Sequence, residues 1–323
     1  MPPHIIKLWG HTGPYNDYSR YIKRLFGQRI QKISLNGGFS CPNRDGTLGT
    51  GGCSYCRVST FVPRYCNETN NLGEQLEKGV EFFSGKYGAK AYAAYFQSYT
   101  SSHDDPHTLS TLYRSVLGHP DIRSLIIATR PDCLPLHTLE LLANLKKEFG
   151  KPVVIELGIE STNNKTLNRI NRHHTMEQTI QTLQALDTFA LDVTGHVILG
   201  LPGETQDDQL AHIPILNSLP IRGLKIHHLQ ILKGTRLSKE YPSPDIRPYT
   251  LEGYIEFLCE WIPRLRPDMV VERFINEAPQ DQILAPNWGG IKNYAFVHQL
   301  VQEMETRGLY QGSAYTLSSK ESS

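Results

Sequence analysis

SLNGGFSCPNRDGTLGTGGCSYC, residues 34–56, changes character part-way along. Its first residues close a β-branched run at 30–35 that reads as a strand. The strand gives way to a loop bearing Cys41, Cys53 and Cys56 in the spacing C-x11-C-x2-C, with Pro42, Gly46, Gly49, Gly51 and Gly52 between them. Glycine tolerates backbone angles closed to other residues, so such a loop can wrap a compact object. Three thiolates from one loop suit a metal centre, and soft sulfur ligands favour zinc or an iron–sulfur cluster. Two inorganic readings compete. A structural zinc site wants four closed ligands and could recruit Cys66, giving C-x11-C-x2-C-x9-C. A cluster held by three cysteines instead leaves one iron open.

The sequence after this loop alternates two periods. Short β-branched or aromatic runs at 91–96, 125–129, 153–159, 192–199 and 224–232 read as strands. Stretches at 72–83, 108–117, 136–149, 176–186 and 207–219 have helical spacing, the last carrying Pro214, which predicts a kink or an early end. Six successive βα units predict an α/β fold with a parallel sheet and right-handed crossovers, either an open doubly wound sheet or an incomplete barrel. In either, the cysteine loop leaves the carboxyl end of the first strand, the face on which such folds build active sites. That placement favours the cluster over zinc. Beyond residue 265 the pattern changes to one more strand, MVVERF at 269–274, then a loop and a helix at 293–306. The organisation is a basic and aromatic N-terminal segment at 1–29, a core at 30–264 and a C-terminal extension at 265–323.

The chain has 323 residues, 39% of them hydrophobic and 20% charged, a composition able to bury a sizeable core. There is no apolar run long enough to predict a transmembrane helix. The start, MPPHIIKLWGHTGPY, lacks the apolar stretch of a secretory signal. The expectation is a cytoplasmic protein with reduced thiols, since six cysteines are too sparse for a disulfide scaffold. Formal net charge is +1, yet residues 1–40 carry +5, which leaves −4 for the rest. Within that basic segment, Tyr18, Tyr21, Ile22, Leu25 and Phe26 fall on one helical stripe, with Gly27 as a C-terminal cap. Arg20, Lys23 and Arg24 lie off the stripe, so the helix can dock by its aromatic face and present charge outward. The tail at 318–323 is expected to fray.

With these residues in view, the chain resembles the radical S-adenosylmethionine (SAM) superfamily. It is similar to the branch near the catalytic subunit of Elongator and the oxygen-independent coproporphyrinogen oxidases, and within it to the YhcC/YtqA group. The superfamily spacing is typically C-x3-C-x2-C; an x11 first gap marks the YhcC/YtqA group. YFQSYT (95–100), ATRPDCLP (128–135), ELGIES (156–161), GHVILGLPGET (195–205), LQILKGTRL (229–237), APNWGGIK (285–292) and GLYQG (308–312) match in order. The resemblance spans nearly the whole chain.

It implies a partial (β/α)6 barrel with a C-terminal extension, a [4Fe–4S] cluster and SAM, with one-electron cleavage of SAM to a 5′-deoxyadenosyl radical that abstracts a substrate hydrogen. Cys41, Cys53 and Cys56 are implied as cluster ligands. Tyr55 matches an aromatic bordering the SAM adenine. Gln97 and Ser98 stand where relatives use a glycine-rich turn for the SAM amino group, a departure from the family pattern. Glu160 takes the place of a polar contact to the ribose, and its carboxylate can accept both hydroxyl protons. Arg172 matches an arginine pairing with the SAM carboxylate, for which a guanidinium fork is suited. His196 and Leu232 lie near later strand ends, beside the nucleoside. Glu160 and Arg172 also read as a structural ion pair, and the turn at 201–204 as a strand-to-helix bend. The pairs His173–His174 and His227–His228 suggest a second metal, but strand neighbours point to opposite faces, so His227 and His228 cannot easily share one ion. Cys66, Cys133 and Cys259 read as ordinary thiols, with Cys133 at a strand end.

The resemblance also points to a substrate. The Elongator branch acts on the wobble uridine of tRNA, and the YtqA-like group is associated with the side chain of that uridine. It implies removal of the carboxymethyl group from 5-carboxymethylaminomethyluridine, with tRNA as partner and flavodoxin or ferredoxin as reductant. The basic aromatic helix could meet an RNA backbone. Two alternatives stand beside it: the same chemistry on a small molecule such as a porphyrinogen or an amino-acid derivative, and a non-catalytic zinc-binding adaptor.

Overall fold

Strands buried on both faces belong to parallel sheets covered by helices, and YAAYF at Tyr92–Phe96 is buried at every position. The protein, described by a computed structural model over residues 7–57, 60, 62–67, 69 and 71–316, builds such a sheet. The strands are β1 (Gln31–Leu35), β2 (Tyr92–Phe96), β3 (Ile122–Thr129), β4 (Val153–Glu160), β5 (Asp192–Leu199), β6 (Gly223–His228), β7 (Ile231–Leu232), β8 (Val270–Arg273) and β9 (Ile283–Ala285). The main sheet has the order β1-β2-β3-β4-β5-β6-β8, and every neighbouring pair in it is parallel. It is the partial barrel the sequence predicts, with one strand added: β8, from the C-terminal extension, joins the edge beside β6. The expected strand at 224–232 divides into β6 and β7, and β7 leaves the sheet to pair antiparallel with β9. The tail at 318–323 lies outside the described residues.

The helices are α1 (Tyr18–Phe26), α2 (Arg64–Asn67), α3 (Leu72–Tyr87), α4 (Pro106–Leu117), α5 (Leu136–Phe149), α6 (Asn164–Arg169), α7 (Met176–Thr188), α8 (Gln206–Ser218), α9 (Arg236–Glu240), α10 (Leu251–Trp261) and α11 (Asn293–Thr306). Local chemistry starts several of them. Thr175 and Gln178 form a reciprocal capping box on α7, and Thr205 with Asp208 does the same for α8. Pro214 neither ends nor shortens α8, which runs on to Ser218; Ile213 and Leu216 on either side of it are buried in the core and hold the turn in place. The main core lies between the outer face of the sheet and the covering helices, where Ile33, Ile127, Ile155 and Val193 meet Leu109, Leu142, Leu183 and Leu216.

The lumen of the barrel is charged rather than apolar. Lys32 of β1 and Glu272 of β8, from the two edge strands, meet at 2.6 Å, so the sheet curls until a single ion pair spans its seam. Lys225 pairs with Glu156, and Tyr95 Oη donates to Glu156 Oε1 at 2.7 Å. Burial alone would neutralise Glu156, but Lys225 and Lys32 overcome it and hold the carboxyl well below the usual range. Burial likewise opposes the charge on Lys32, and Glu272, Tyr18 and Glu156 restore it.

Helix α1 closes the opposite end of the lumen from the cysteine loop. Asp17 caps it, Gly27 ends it at φ 69°, and Val271 N–H donates to Asn16 O, which ties the preceding turn to β8. Its stripe Tyr18, Tyr21, Ile22, Leu25 and Phe26 faces the first residues of the strands, among them Val154, Thr194, Gly223 and Val270. The aromatic face docks as expected and Arg20, Lys23 and Arg24 are exposed. The charge therefore lies at the amino-terminal mouth of the barrel, away from the cysteines, and not beside the site, where an RNA contact would serve the chemistry.

The packing of α3 on β1 generates a paired prediction. A Cβ at Gly79 would stand 2.4 Å from Ile33 Cγ2, whereas one at Gly85 of the same helix meets nothing within 4 Å. Overpacking costs about 1–3 kcal/mol, more than the ~1 kcal/mol that alanine gains over glycine in a helix. Gly79→Ala should lower the thermal midpoint and Gly85→Ala raise it, as measured by circular dichroism melts.

Candidate active site

The loop after β1 turns back over the carboxyl ends of the strands. Its own backbone bonds set the turn: Arg44 N–H and Asp45 N–H donate to Cys41 O, and Cys56 N–H to Cys53 O. Long-range bonds then fasten it to the later βα loops. Ser54 N–H donates to Ile170 O, Leu237 N–H to Ser54 O, and Asn43 Nδ2 to Asn171 O at 2.6 Å. Gly51 and Gly52 carry φ of 85° and 79° within this turn, angles that a side chain rarely adopts.

One cavity of about 240 Å³ opens beneath the loop, and all ten candidate residues line it: Cys41, Cys53, Cys56, Tyr55, Gln97, Ser98, Glu160, Arg172, His196 and Leu232. Arg172 is the link between them. Its Nη1 lies 3.6 Å from Cys53 Sγ, its Nη2 donates to Gly158 O at 2.9 Å and faces Glu160 Oε1 at 3.3 Å, and its Nε donates to His174 Nε2 at 3.0 Å. Glu160 is also 3.3 Å from His196 Nδ1. Burial opposes the Glu160 charge, but His196 and Arg172 prevail and hold its carboxyl down at about 2. The ion-pair reading of Glu160 and Arg172 is thus correct as geometry, and the pair lies in the cavity wall.

The backbone here is strained. Tyr99, Glu160, Asn171 and His173 all have φ near +60° without being glycine, and the first three lie on the cavity or the loops that hold the cysteine turn. Such residues concentrate at functional sites. Tyr99 supplies, in left-handed form, the tight turn after Gln97–Ser98 that a glycine would otherwise make. At Gly158 a Cβ would lie 2.4 Å from Arg172 Nη2 and 2.7 Å from Glu160 Oε1, so a side chain there would displace both groups.

Of the other sequence candidates, the remaining cysteines separate from the site. Cys66 is buried and donates its thiol to Ser34 O at 3.2 Å, and burial pushes that thiol up to about 11. Cys133 is buried outside the cavity, its thiol pushed up to about 12 by burial and Asp132. Cys259 is buried in α10. His173 is exposed while His174 is buried. His227 and His228 both line the cavity, and His228 stacks on Trp288 with ring centroids 4.0 Å apart. Among the described residues no group of three or more His, Cys, Asp or Glu side chains is arranged to hold a single metal ion. In the turn at 201–204, Glu204 accepts from Ser161 Oγ and lies 3.2 Å from His212 Nε2, as a strand-to-helix bend would place it.

Sequence reasoning missed the deeper wall: Tyr95, Glu156, Lys225, Gln230 and Arg273 also line the cavity, and it had singled out His227 only as half of a metal pair. The signal was available. Strand side chains alternate, so placing Glu160 in the lumen places Glu156 there too, and a lumenal His227 brings Lys225 with it.

The cysteine set suits an iron–sulfur cluster. Burial pushes the Cys56 thiol up to about 11, Cys53 adds to the shift, and Arg44 opposes it; an electropositive centre among the three sulfurs would relieve the same strain. The wall also wants a polar ligand. Arg130 grips Asp132 through Nε and Nη2, both at 2.8 Å, while its buried Nη1 has no partner.

A parallel half-barrel with three loop cysteines over a strained, polar cavity defines a class. Residues 43–213, more than half the chain, match the model of the radical SAM superfamily, and residues 221–306 match the radical SAM C-terminal domain. The chain belongs to the radical SAM superfamily; it is a SAM-dependent enzyme, and the family's cofactors are a [4Fe–4S] cluster and SAM. It is 31% identical to the uncharacterized protein YtqA of Bacillus subtilis over 308 residues, 95% of each chain. It is 36% identical to protein YhcC of Escherichia coli over 273 residues, 84% of this chain and 87% of that one. A more distant relative is the tRNA uridine(34) acetyltransferase of Methanocaldococcus infernus, 27% identical over 190 residues, 58% of this chain and 34% of the acetyltransferase. Among solved structures, the N-terminally truncated Elp3 of the same archaeon superposes with a TM-score of 0.66 at 17% identity, covering 87% of this chain and 64% of that one. No helix among the described residues is long and apolar enough to cross a membrane.

Two substitutions separate cluster ligand from bystander. Cys53→Ala should abolish iron and sulfide loading and 5′-deoxyadenosine formation in anaerobically reconstituted protein. Cys66→Ala should leave both largely intact, and equal loss in the two variants would show the ligand set to be wrong. Gly158→Ala should retain the cluster but weaken SAM binding about tenfold or more by displacing Arg172 and Glu160, as measured by equilibrium dialysis.

Proposed function

We propose that this protein removes the carboxymethyl group from 5-carboxymethylaminomethyluridine at the wobble position of tRNA. The observation that carries the reading is the shape of the site. One cavity runs from the cysteines at its mouth to a polar wall of Tyr95, Glu156, Lys225 and His227, which gives a cofactor half and a deeper half for a small polar group. Its rim bears Arg44, Arg57 and Tyr99, the last 43% exposed. An exposed aromatic among cations suits an unstacked base on a phosphate backbone. The likeness to a tRNA uridine(34) acetyltransferase supports the same substrate class.

Cys41, Cys53 and Cys56 would hold the cluster. Tyr55, Gln97, Ser98, Glu160, Arg172, His196 and Leu232 would hold SAM, each in the role that the family resemblance implies. When bound, these cofactors supply a 5′-deoxyadenosyl radical able to abstract hydrogen. The protein's own part is to orient the substrate and exclude water. Loss of a hydrogen atom and one further electron from the methylene between the amine nitrogen and the carboxylate, with SAM as the net two-electron oxidant, would turn that carbon into an imine, which water splits into the free aminomethyl group and glyoxylate. A flavodoxin or ferredoxin would supply the electron, and a cytoplasmic setting provides both tRNA and reductant.

Deleting the gene and digesting total tRNA to nucleosides tests the substrate. The carboxymethylaminomethyl form should accumulate and its downstream aminomethyl and methylaminomethyl forms fall, as read by mass spectrometry; an unchanged profile overturns the assignment. Binding of tRNA should weaken steeply between about 50 and 200 mM salt if phosphates are contacted.

A further inference from the structure

The carboxylates around the cavity are already matched to cations. Glu160 faces Arg172, Glu156 holds Lys225, and Glu272 holds Lys32 at 2.6 Å. Arg130 is taken by Asp132. Arg273 is different. It ends β8, lies in register beside Lys225 of β6 and lines the same cavity, yet among the described residues it has no ion pair. Its side chain is steadied by a bond from Nε to His227 Nε2 at 3.1 Å.

That bond fixes a directional chain. With Nε2 accepting, a neutral His227 carries its hydrogen on Nδ1 and donates to His196 Nε2 at 2.8 Å. His196 Nδ1–H then faces Glu160 Oε2. Burial, with His196 and Arg273 adding, keeps His227 neutral, its pKa well below the usual histidine range. The imidazoles therefore steady the guanidinium without neutralising it. The Nη1 and Nη2 pair is left as an end-on fork, a geometry that binds a carboxylate bidentately. A half-buried cation without a counter-ion is unfavourable unless an anion arrives with the ligand. Nearby in the wall, Gln230 Oε1 is buried and unpartnered, an acceptor suited to an N–H donor on the same ligand.

We propose that Arg273 is the specificity residue of the substrate half of the cavity, its guanidinium fork receiving a carboxylate of the substrate. The inference rests on the deep wall being the substrate chamber of the proposed demodification, where the carboxymethylamino arm carries both a carboxylate and an N–H. Phosphate shares the chemistry of an oxyanion, and the test separates the two.

The test is equilibrium dialysis on the reconstituted holoenzyme with three probes: 5-carboxymethylaminomethyluridine, its carboxamide counterpart and uridine 5′-monophosphate. The carboxylate should bind at least tenfold more tightly than the carboxamide. Arg273→Gln should bring that ratio close to one, and Arg273→Lys should restore part of it. A ratio near one in the unaltered enzyme, or one that Arg273→Gln does not change, overturns the proposal. Tighter binding of the monophosphate than of the carboxylate overturns it in favour of a phosphate site. Turnover of tRNA bearing the modified uridine is followed separately. Carboxylate preference without turnover upholds Arg273 and removes the demodification reading; turnover with a preference indifferent to Arg273 does the reverse.

Discussion

One guanidinium joins the cysteine loop to the strained end of β4. Arg172 touches Cys53 Sγ, Gly158 O, Glu160 and His174 at once, so the sulfur donors and the strained end of β4 share one anchor. Arginine suits this work because its planar fork satisfies several acceptors in fixed directions and stays charged when buried. The anchor explains why Gly158 has no side chain and why Glu160 is held at φ 65°. It also explains how a loop with an eleven-residue first gap can still present its thiols to one cavity: the added length is fastened by Asn43, Ser54 and Arg172 rather than left to fold on itself.

Below that anchor the lumen is built from ion pairs, where an apolar core would stabilise more simply. Burying Lys32, Glu156, Lys225 and Glu272 together carries a desolvation penalty that is offset only because each charge meets an opposite one. What the arrangement gives is position. Glu156 and Lys225 fix the Tyr95 hydroxyl, and Lys32 with Glu272 fixes the separation of the two edge strands. The wall facing the ligand is thereby rigid and polar, as a site that discriminates between polar groups requires.

Much of this was legible in the sequence because it is local. The β-branched runs, the helical periods, the Gly27 cap and the loop cysteines each act over a few residues, and the strands and helices fall close to where period places them. The site residues drawn from family likeness converge on one cavity. What was illegible depends on pairs far apart in the chain. Nothing near Lys32 announces Glu272, 240 residues away, and nothing in MVVERF says that its strand completes the sheet. The outward charge of α1 is legible but its place at the far end of the barrel is not, because periodicity tells which face of a helix docks and not where. The break between β6 and β7 was hidden because Leu229 and Ile231 are as apolar as the strands around them, although Gln230 between them has turned into the cavity.

The aromatic stripe of α1 faces the amino ends of the strands, and the buried ion pairs lie above it. The floor of the cavity is thus shared with the seam of the sheet: Lys225 meets Glu156 in the wall and lies 4.0 Å from Glu272, which holds Lys32 across the seam. A change of charge at that floor is therefore felt where the two edge strands join.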